Sequence, residues 1–70
     1  MTTDGMAGYI CECNVKGIGR KLSQDIVAKY GRKTFYVILN DWKRLLDVDG
    51  IGHMRAENLH RTFAAKFGAE

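Results

Sequence analysis

Two short glycine-containing segments are the residues of this sequence best suited to chemistry, because each could bind a phosphate group. Gly17-Ile18-Gly19 and Gly50-Ile51-Gly52 each stand immediately before a stretch with helical periodicity. A turn with so few side chains leaves its backbone N–H groups accessible, and the helix that follows adds unpaired donors and partial positive charge at its N-terminus. Both segments are therefore predicted to form turns that could bind an anion.

The two segments belong to an internal repeat, in which the second copy follows the first after 33 positions. Such a repeat indicates one supersecondary unit that is used twice. The aligned pairs are Val15 with Val48, Gly17 with Gly50, Ile18 with Ile51, Gly19 with Gly52, Ser23 with Ala56, Ile26 with Leu59, and Tyr30 with Phe63. The small pair, Ser23 and Ala56, suits positions where two helix backbones approach closely.

Basic side chains surround the first turn. The chain has a net charge of +3, and Lys16, Arg20 and Lys21 flank the Gly-Ile-Gly segment of the first copy. Lysine and arginine contacts with phosphates carry no base information, so a nucleic acid bound here should be held without sequence preference and in a salt-sensitive way. An ordinary solvated face is the alternative interpretation of these three residues.

The second turn has a different charge. Asp47 and Asp49 precede it, and only His53 and Arg55 follow it as basic or titratable groups. The two carboxylates would oppose a phosphate. We therefore expect the second turn to bind an anion more weakly than the first, or to serve mainly as its structural counterpart.

Helices must position both turns, and the sequence predicts an all-α bundle of five. Residues 34–39 favour a strand by local propensity, but a lone strand would leave its backbone groups unpaired, so we predict a helix there. A first helix is expected to have Thr3 or Asp4 as its cap and to end near Asn14. The other helices are predicted at residues 20–30, 34–40, 42–46 (capped by Asp41) and 53–67.

The residues of both copies resemble the helix-hairpin-helix DNA-binding motif. That motif reads apolar-x-Gly-apolar-Gly, then a small residue four positions later and an apolar residue three positions after it; both copies fit. The resemblance covers roughly residues 10–67 and looks like the tandem form, two motifs (about 5–30 and 42–67) joined by a connector helix (34–40) in one domain, 1–70. It implies DNA binding through Lys16, Gly17, Ile18, Gly19, Arg20 and Lys21, and secondarily through Gly50, Ile51, Gly52, His53 and Arg55.

The chain departs from the motif at two positions. Proline or lysine is common in the family where Arg20 and His53 stand, and this sequence contains no proline. Arginine keeps a phosphate contact plausible in the first copy, whereas histidine weakens the expectation for the second.

A narrower similarity is to the tandem domain of RecD-like DNA helicases, of the exodeoxyribonuclease V alpha type. It rests on Gly17-Ile18-Gly19, on Tyr30-Gly31, and on the Leu-Leu-x-Val-x-Gly-Ile-Gly segment at 45–52. The resemblance implies a fragment of a larger ATP-dependent helicase or nuclease of DNA repair and recombination, since no phosphate-binding Gly-x-x-x-x-Gly-Lys-Ser/Thr loop is present here. It also implies no cofactor, apart from the monovalent cation that some family members hold at the hairpin carbonyls.

Enzymatic activity and membrane association are not expected. No serine, histidine and acid arrangement has a plausible spacing, and Cys11 and Cys13 are not in a recognisable metal-ligand spacing with His53 and His60. No segment approaches the roughly 20 apolar residues of a membrane helix, and no signal peptide is evident, so we expect a cytoplasmic location.

The competing interpretation is a protein-docking or dimerisation module without direct DNA contact. An exposed apolar patch around Met54 and Phe67 would favour docking, whereas a basic rim at residues 16–21 without such a patch would favour DNA. The sequence leaves open whether single-stranded or duplex DNA would be bound.

Overall fold

The computed structural model describes residues 2–68, and these residues contain helices and turns but no strand. Three shorter helical segments accompany four α-helices. The α-helices are α1 (Thr3–Glu12), α2 (Arg20–Tyr30), α3 (Thr34–Asn40) and α4 (His53–Phe63); two 3-10 segments span Gly31–Lys33 and Trp42–Asp47, and a π-helical turn spans Ala64–Gly68. The described chain is all-α, as predicted, and α2 and α3 have the predicted bounds.

The first helix begins and ends differently from the prediction. Its cap is Thr2, whose Oγ1 accepts a hydrogen bond from the Gly5 N–H at 3.1 Å, so neither Thr3 nor Asp4 is the cap. Asp4 lies in the first helical turn, where its negative charge stabilises the helix by interacting with the partial positive charge of the N-terminus. The helix ends at Glu12 rather than near Asn14, because Asn14 has a left-handed backbone with φ +56°.

The predicted fourth helix is a 3-10 segment, Trp42–Asp47, so the described residues contain four α-helices instead of five. Asp41 precedes this segment but makes no side-chain capping bond. Its carboxylate instead lies 2.9 Å from the Arg44 Nε, and its carbonyl oxygen accepts the Arg44 N–H at 3.0 Å. This local pairing with Arg44 replaces the expected cap.

The last helix is shorter than predicted, because α4 ends at Phe63 and the wider π-helical turn Ala64–Gly68 follows it. The Phe67 ring in that turn lies 5.4 Å from the Phe63 ring and 5.9 Å from the Tyr9 ring. Aromatic packing against α1 thus accompanies the change of helical form.

Helix α3 forms where local propensity favours a strand. Gly31 has φ +56° and turns the chain after α2, and the buried Thr34 donates its hydroxyl to the Gly31 carbonyl oxygen at 2.6 Å. Val37 and Ile38 are buried in the core. Tertiary burial and the absence of a neighbouring strand within the described residues therefore decide the helical form.

The core lies between the two repeat units and is filled from both. Ile18 and Ile51, the central residues of the two turns, are only 4% and 5% exposed, so each turn is anchored in the core by its isoleucine. Ser23 and Ala56 are fully buried, as expected for small residues at a close helix approach. The largest buried apolar side chains are Ile10, Ile26, Ile38, Leu45, Leu59 and Phe63.

Three further features of residues 2–68 concern membrane spans, cysteines and metal binding. No helix in this range has the length and apolar composition that crossing a membrane requires. Cys11 and Cys13 are free and half-buried. No group of three or more histidine, cysteine or acidic side chains in the described range is arranged to hold a metal ion.

Candidate nucleic-acid interface

The first turn is a tight four-residue reversal that depends on glycine. The Ile18 N–H donates to the Val15 carbonyl oxygen at 3.0 Å, and Gly17 has φ +85°. A bond between the first and fourth residues with positive φ at the third is characteristic of a type II turn, where glycine is favoured. The turn holds Ile18 in the core and leaves Gly17 and Gly19 at the surface.

The second turn has the same backbone design. The Ile51 N–H donates to the Val48 carbonyl oxygen at 3.0 Å, and Gly50 has φ +92°. The sequence repeat is therefore reproduced in three dimensions at the level of single hydrogen bonds. The backbone alone does not distinguish the two turns.

Each turn leads directly into a helix that starts without a side-chain cap. Helices α2 and α4 have Gly19 and Gly52 as their N-cap residues, and neither glycine has a side chain that could accept a bond. The first helical bonds run from the Ser23 and Ala56 amides to these two glycines, each at 3.0 Å. The amides before Ser23 and Ala56 in these helices have no intrahelical acceptor, so they remain available to an anion.

Helix α1 shows what a capped N-terminus looks like in the same molecule. There the Thr2 hydroxyl accepts the Gly5 amide, which satisfies one of the free donors. At Gly19 and Arg20 no acceptor among the described residues plays this part. The start of α2 is thus open to an external acceptor, whereas the start of α1 is partly closed.

Two cationic side chains beside the first turn are unpaired within residues 2–68. Lys16 and Arg20 are exposed, and neither forms an ion pair with a described carboxylate. In the chain they lie on either side of the segment 17–19, directly before and after the residues that open the α2 N-terminus. Donors and cations are therefore grouped where the sequence predicts a phosphate contact.

Lys21, the third predicted cation, has an internal partner. Its Nζ lies 2.7 Å from the Asp25 Oδ2, one helical turn further along α2. The hydrogen bond and the charge of Asp25 raise the pKa of Lys21, and the charge of Asp49 adds to the effect. A phosphate would have to compete with Asp25 for this ammonium group, so Lys21 contributes less to the site than its sequence position indicates.

The predicted contacts of the second turn also face internal groups. The His53 Nε2 lies 3.6 Å from the Glu57 carboxylate, and the His53 ring meets the Trp42 ring edge-on at a centroid distance of 5.4 Å. The same Glu57 carboxylate pairs with Arg61 at 2.9 Å. His53 is thus part of a local cluster on α4 instead of an isolated group beside the turn.

Arg55 has a position that its place in the sequence does not reveal. Its Nε donates to the Gly17 carbonyl oxygen at 2.8 Å, and its Nη1 makes a longer bond of 3.4 Å to the Gly50 carbonyl oxygen. The guanidinium group therefore lies between the two turns and bonds to both. A contact across 38 residues leaves no signal in local sequence spacing.

Within residues 2–68, the exposed Met54 and Phe67 do not share the patch that would favour docking. Met54 is 75% exposed and lines a shallow cavity of about 240 Å³ with Lys16 and Gly17. Phe67 is 51% exposed and packs on other aromatic rings at the opposite end of α4, about 20 Å away at 1.5 Å per helical residue. The two residues therefore belong to separate surfaces.

Among the predicted contacts of the first turn, Lys16, Gly17, Gly19, Arg20 and Lys21 lie at the surface. The side chains of Ile18 and Ile51 are buried in the core, so they are not part of that surface. Arg55 joins the second turn to the first through its bonds to the Gly17 and Gly50 carbonyl oxygens. Within that surface the available groups are the free amides, Lys16 and Arg20. Function is inferred from this geometry and its charges. Comparison of the chain with protein-family models, with curated proteins and with solved structures finds no significant match.

Proposed function

We propose that this chain binds the sugar-phosphate backbone of DNA without sequence preference, and that the first turn is the main contact. The observation that carries the proposal is the start of α2. Gly19 caps the helix without a side chain, so free amide donors lie next in the chain to Lys16 and Arg20, which have no ion-pair partner within residues 2–68. Amide donors at a helix N-terminus together with point charges suit a phosphate oxygen.

This arrangement would give weak, salt-dependent binding. Phosphate contacts by Lys16 and Arg20 release counterions from DNA, so the association constant falls as salt rises. An isolated module with so few charges is expected to have a Kd of about 10⁻⁴ to 10⁻⁶ M at physiological salt. None of these groups reads a base edge, so all sequences of one DNA form should bind alike.

The second turn is proposed as a weaker contact or a structural counterpart. Its backbone matches that of the first turn, but Asp49 stands where the first turn has Lys16. His53, which corresponds to Arg20, faces Glu57 and Trp42. Repulsion by the carboxylate and the engagement of His53 both reduce its attraction for a phosphate.

The order of the helices is compatible with the tandem helix-hairpin-helix domain that the sequence resembles. If the 3-10 segment Trp42–Asp47 takes the place of the fourth helix, the described chain has the five-helix order of that domain. We propose that it is an accessory module of a RecD-like helicase or a related DNA repair enzyme in the cytoplasm, and that it has no catalytic activity of its own. The resemblance of residues 45–52 supports this assignment.

An NMR titration tests the DNA proposal directly. The labelled chain is titrated with a short mixed-sequence duplex and with the matching single strand, first at low salt and then at physiological salt. We expect shifts at the amides of residues 16–21 that weaken as salt rises, and the comparison shows which DNA form is preferred. An unchanged spectrum with both forms at low salt would reject the proposal.

A docking or dimerisation module is the second candidate, and the exposure of Met54 favours it. A methionine that is 75% exposed beside the first turn could be covered by a protein partner. Sedimentation of the chain over a wide concentration range tests the dimeric form of this candidate. Self-association that Met54→Ser abolishes, together with no response to DNA, would favour it over the DNA proposal.

A further inference from the structure

Arg55 connects two parts of the chain that are distant in sequence. It lies in the first turn of α4, its Nε is 2.8 Å from the Gly17 carbonyl oxygen, and its Nη1 is 3.4 Å from the Gly50 carbonyl oxygen. Its aliphatic stem also covers Gly17: a Cβ added to that glycine would lie 2.9 Å from the Arg55 Cγ. The side chain thus contacts the first turn through both its polar and its apolar atoms.

The repeat provides an internal comparison for this contact. Leu22 stands at the position of the first copy that corresponds to Arg55, and it covers the glycine of the opposite turn in the same manner. A Cβ added to Gly50 would lie 3.3 Å from the Leu22 Cδ2. Leu22 therefore packs over Gly50 through apolar atoms. Arg55 packs over Gly17 in the same way and adds hydrogen bonds to that packing.

Within residues 2–68, the guanidinium group of Arg55 bonds to backbone carbonyl oxygens and not to a carboxylate. Among the described residues, ion pairs on α4 involve Glu57 with His53 and with Arg61, and Arg55 takes no part in them. Carbonyl oxygens of the two turns are its hydrogen-bond acceptors. Since a hydrogen bond from a charged donor is stronger than one between neutral groups, this contact can restrain the turn that it joins.

The restrained unit is a single peptide plane. The Gly17 carbonyl and the Ile18 N–H belong to the same planar peptide group. Arg55 holds the carbonyl end at 2.8 Å, and the Val15 carbonyl holds the N–H end at 3.0 Å. The next amide along the chain, that of Gly19, is the first donor of the proposed phosphate site. The direction of the Gly19 N–H therefore depends on how firmly this peptide plane is held.

We propose that Arg55 is a positioning residue for the first turn: it fixes the Gly17–Ile18 peptide plane and thereby directs the free amides at Gly19 and Arg20 outward. This assignment rests on the proposed DNA function and replaces the direct phosphate contact that the sequence predicts for Arg55. Its guanidinium acts through the turn and does not touch DNA.

The first test uses the protein without DNA, so it is independent of the DNA proposal. In the ¹⁵N spectrum, the Arg55 Nε–H should exchange slowly with water because it is bonded to a carbonyl oxygen. Arg55→Ala should shift the amide resonances of Ile18 and Gly19, and Arg55→Lys should shift them in the same direction, because lysine lacks the planar donor fork. The control Arg61→Ala removes another exposed arginine of α4 and should leave these resonances unchanged.

The second test measures DNA affinity as a function of salt. Arg55→Ala should weaken binding by about threefold to tenfold, the range for one hydrogen bond, with the slope of log K against log salt unchanged. Lys16→Ala, which removes a direct contact, should make that slope shallower by about 0.9. Arg55→Lys provides the same comparison if the alanine variant is poorly folded.

The possible outcomes separate the alternatives. A shallower slope for Arg55→Ala, equal to that of Lys16→Ala, would mean that Arg55 contacts a phosphate and would overturn the assignment. Unchanged Ile18 and Gly19 resonances in both Arg55 variants would overturn it as well. Failure of the unmodified chain to bind DNA would refute the proposed function, while the resonance shifts would still decide whether Arg55 holds the turn.

Discussion

The two turns of this molecule have one backbone and two different charge patterns. Gly17 and Gly50 have φ +85° and +92°, and both turns close with a 3.0 Å hydrogen bond. Several aligned positions beside the glycines nevertheless differ in chemistry, and three of them distinguish the charges next to the two turns. They are Lys16, Arg20 and Lys21 in the first turn and Asp49, His53 and Met54 in the second.

This difference separates what folds the turn from what it can bind. Gly17 and Ile18, with their counterparts in the second copy, fix the backbone, because they supply positive φ and a buried anchor. The side chains at the flanking positions, Lys16, Arg20 and Lys21 with their counterparts, are exposed. One structural unit can therefore be kept twice while only one copy retains the charges for a phosphate.

The largest expected effect comes from breaking the shared backbone. Gly17→Val requires a β-branched residue at φ +85° and places a Cβ 2.8 Å from the Arg55 Nε. We expect the free energy of unfolding to fall by about 2–3 kcal/mol, from left-handed strain and the displaced arginine together. Urea denaturation measures this change. Gly50→Val, at φ +92°, should lower the free energy of unfolding by less, because its Cβ would meet only the Leu22 Cδ2, at 3.3 Å.

Gly19→Ala is the matched control for these two variants. Gly19 has φ −104°, and a Cβ there would meet no atom within 4 Å. Its unfolding free energy should change by less than about 1 kcal/mol. A loss as large as that of Gly17→Val would show that the turn depends on glycine for a reason other than positive φ.

Removing the two cations beside the first turn should weaken DNA binding without unfolding the chain. The double variant Lys16→Ala/Arg20→Ala should remain folded, because both side chains are exposed and unpaired within the described residues. DNA affinity should fall by about tenfold to thirtyfold at about 0.15 M salt, and the salt slope should become shallower by about 1.8. Fluorescence anisotropy with a labelled oligonucleotide measures both quantities.

The equivalent change in the second turn is the control, since Asp49→Ala/His53→Ala removes the aligned residues. Its salt slope should equal that of the unmodified chain. A loss of affinity comparable to that of Lys16→Ala/Arg20→Ala would mean that both turns contribute equally, and the proposed asymmetry would then be wrong.

The sequence predicts much of the fold because the repeat constrains it. Gly17 and Gly50 can be recognised as turn residues, and the bounds of α2 follow from apolar periodicity and from Gly31. Helix α3 follows from the lack of a partner for a lone strand at residues 34–39. Trp42–Asp47 is a 3-10 segment instead of the predicted helix. The sequence does not show the local pairing of Asp41 with Arg44 that accompanies this form. The sequence does not single out Thr2 as the cap, because Thr2, Thr3 and Asp4 are three successive residues whose side chains can each cap a helix.

The candidate site was predictable in composition but not in connectivity. The bond between Lys21 and Asp25 could have been inferred, because the two residues are four apart on one helix. The bonds of Arg55 could not, since they depend on how α4 is oriented against a turn 38 residues earlier. Long-range side-chain bonds of this kind follow from the packing of whole elements.

The third prediction transfers the charges of the first turn to the second. In Asp49→Lys/His53→Arg, both turns would carry the same flanking cations on the same backbone. If the second turn also approaches a phosphate, the salt slope should become steeper by up to about 1.8, and affinity should rise by several fold. The same anisotropy titration measures it.

An unchanged slope in this variant would restrict the second turn to a structural role. The isosteric double variant Asp49→Asn/His53→Gln is the control, because it removes the repelling charge without adding a cation. If this control raises DNA affinity as much as Asp49→Lys/His53→Arg does, the added cations make no direct contact. Repulsion by Asp49 would then be what limits binding at the second turn.

The smallest expected effect concerns Lys21 and the carboxylate that occupies it. Because Lys21 is bonded to Asp25 at 2.7 Å, Lys21→Ala should weaken DNA binding less than Lys16→Ala does. Asp25→Asn should have the opposite effect, since it frees the ammonium group for a phosphate and should raise affinity about twofold.

The raised pKa of Lys21 favours the folded state at pH values below its ordinary pKa, and this contribution disappears as the pH rises through the raised value. Asp25→Asn should therefore reduce this pH dependence of unfolding above the ordinary lysine pKa of 10.5, while the charge of Asp49 leaves a smaller part of it. A variant that leaves both the affinity and the alkaline unfolding profile unchanged would show that Asp25 does not hold Lys21 in solution.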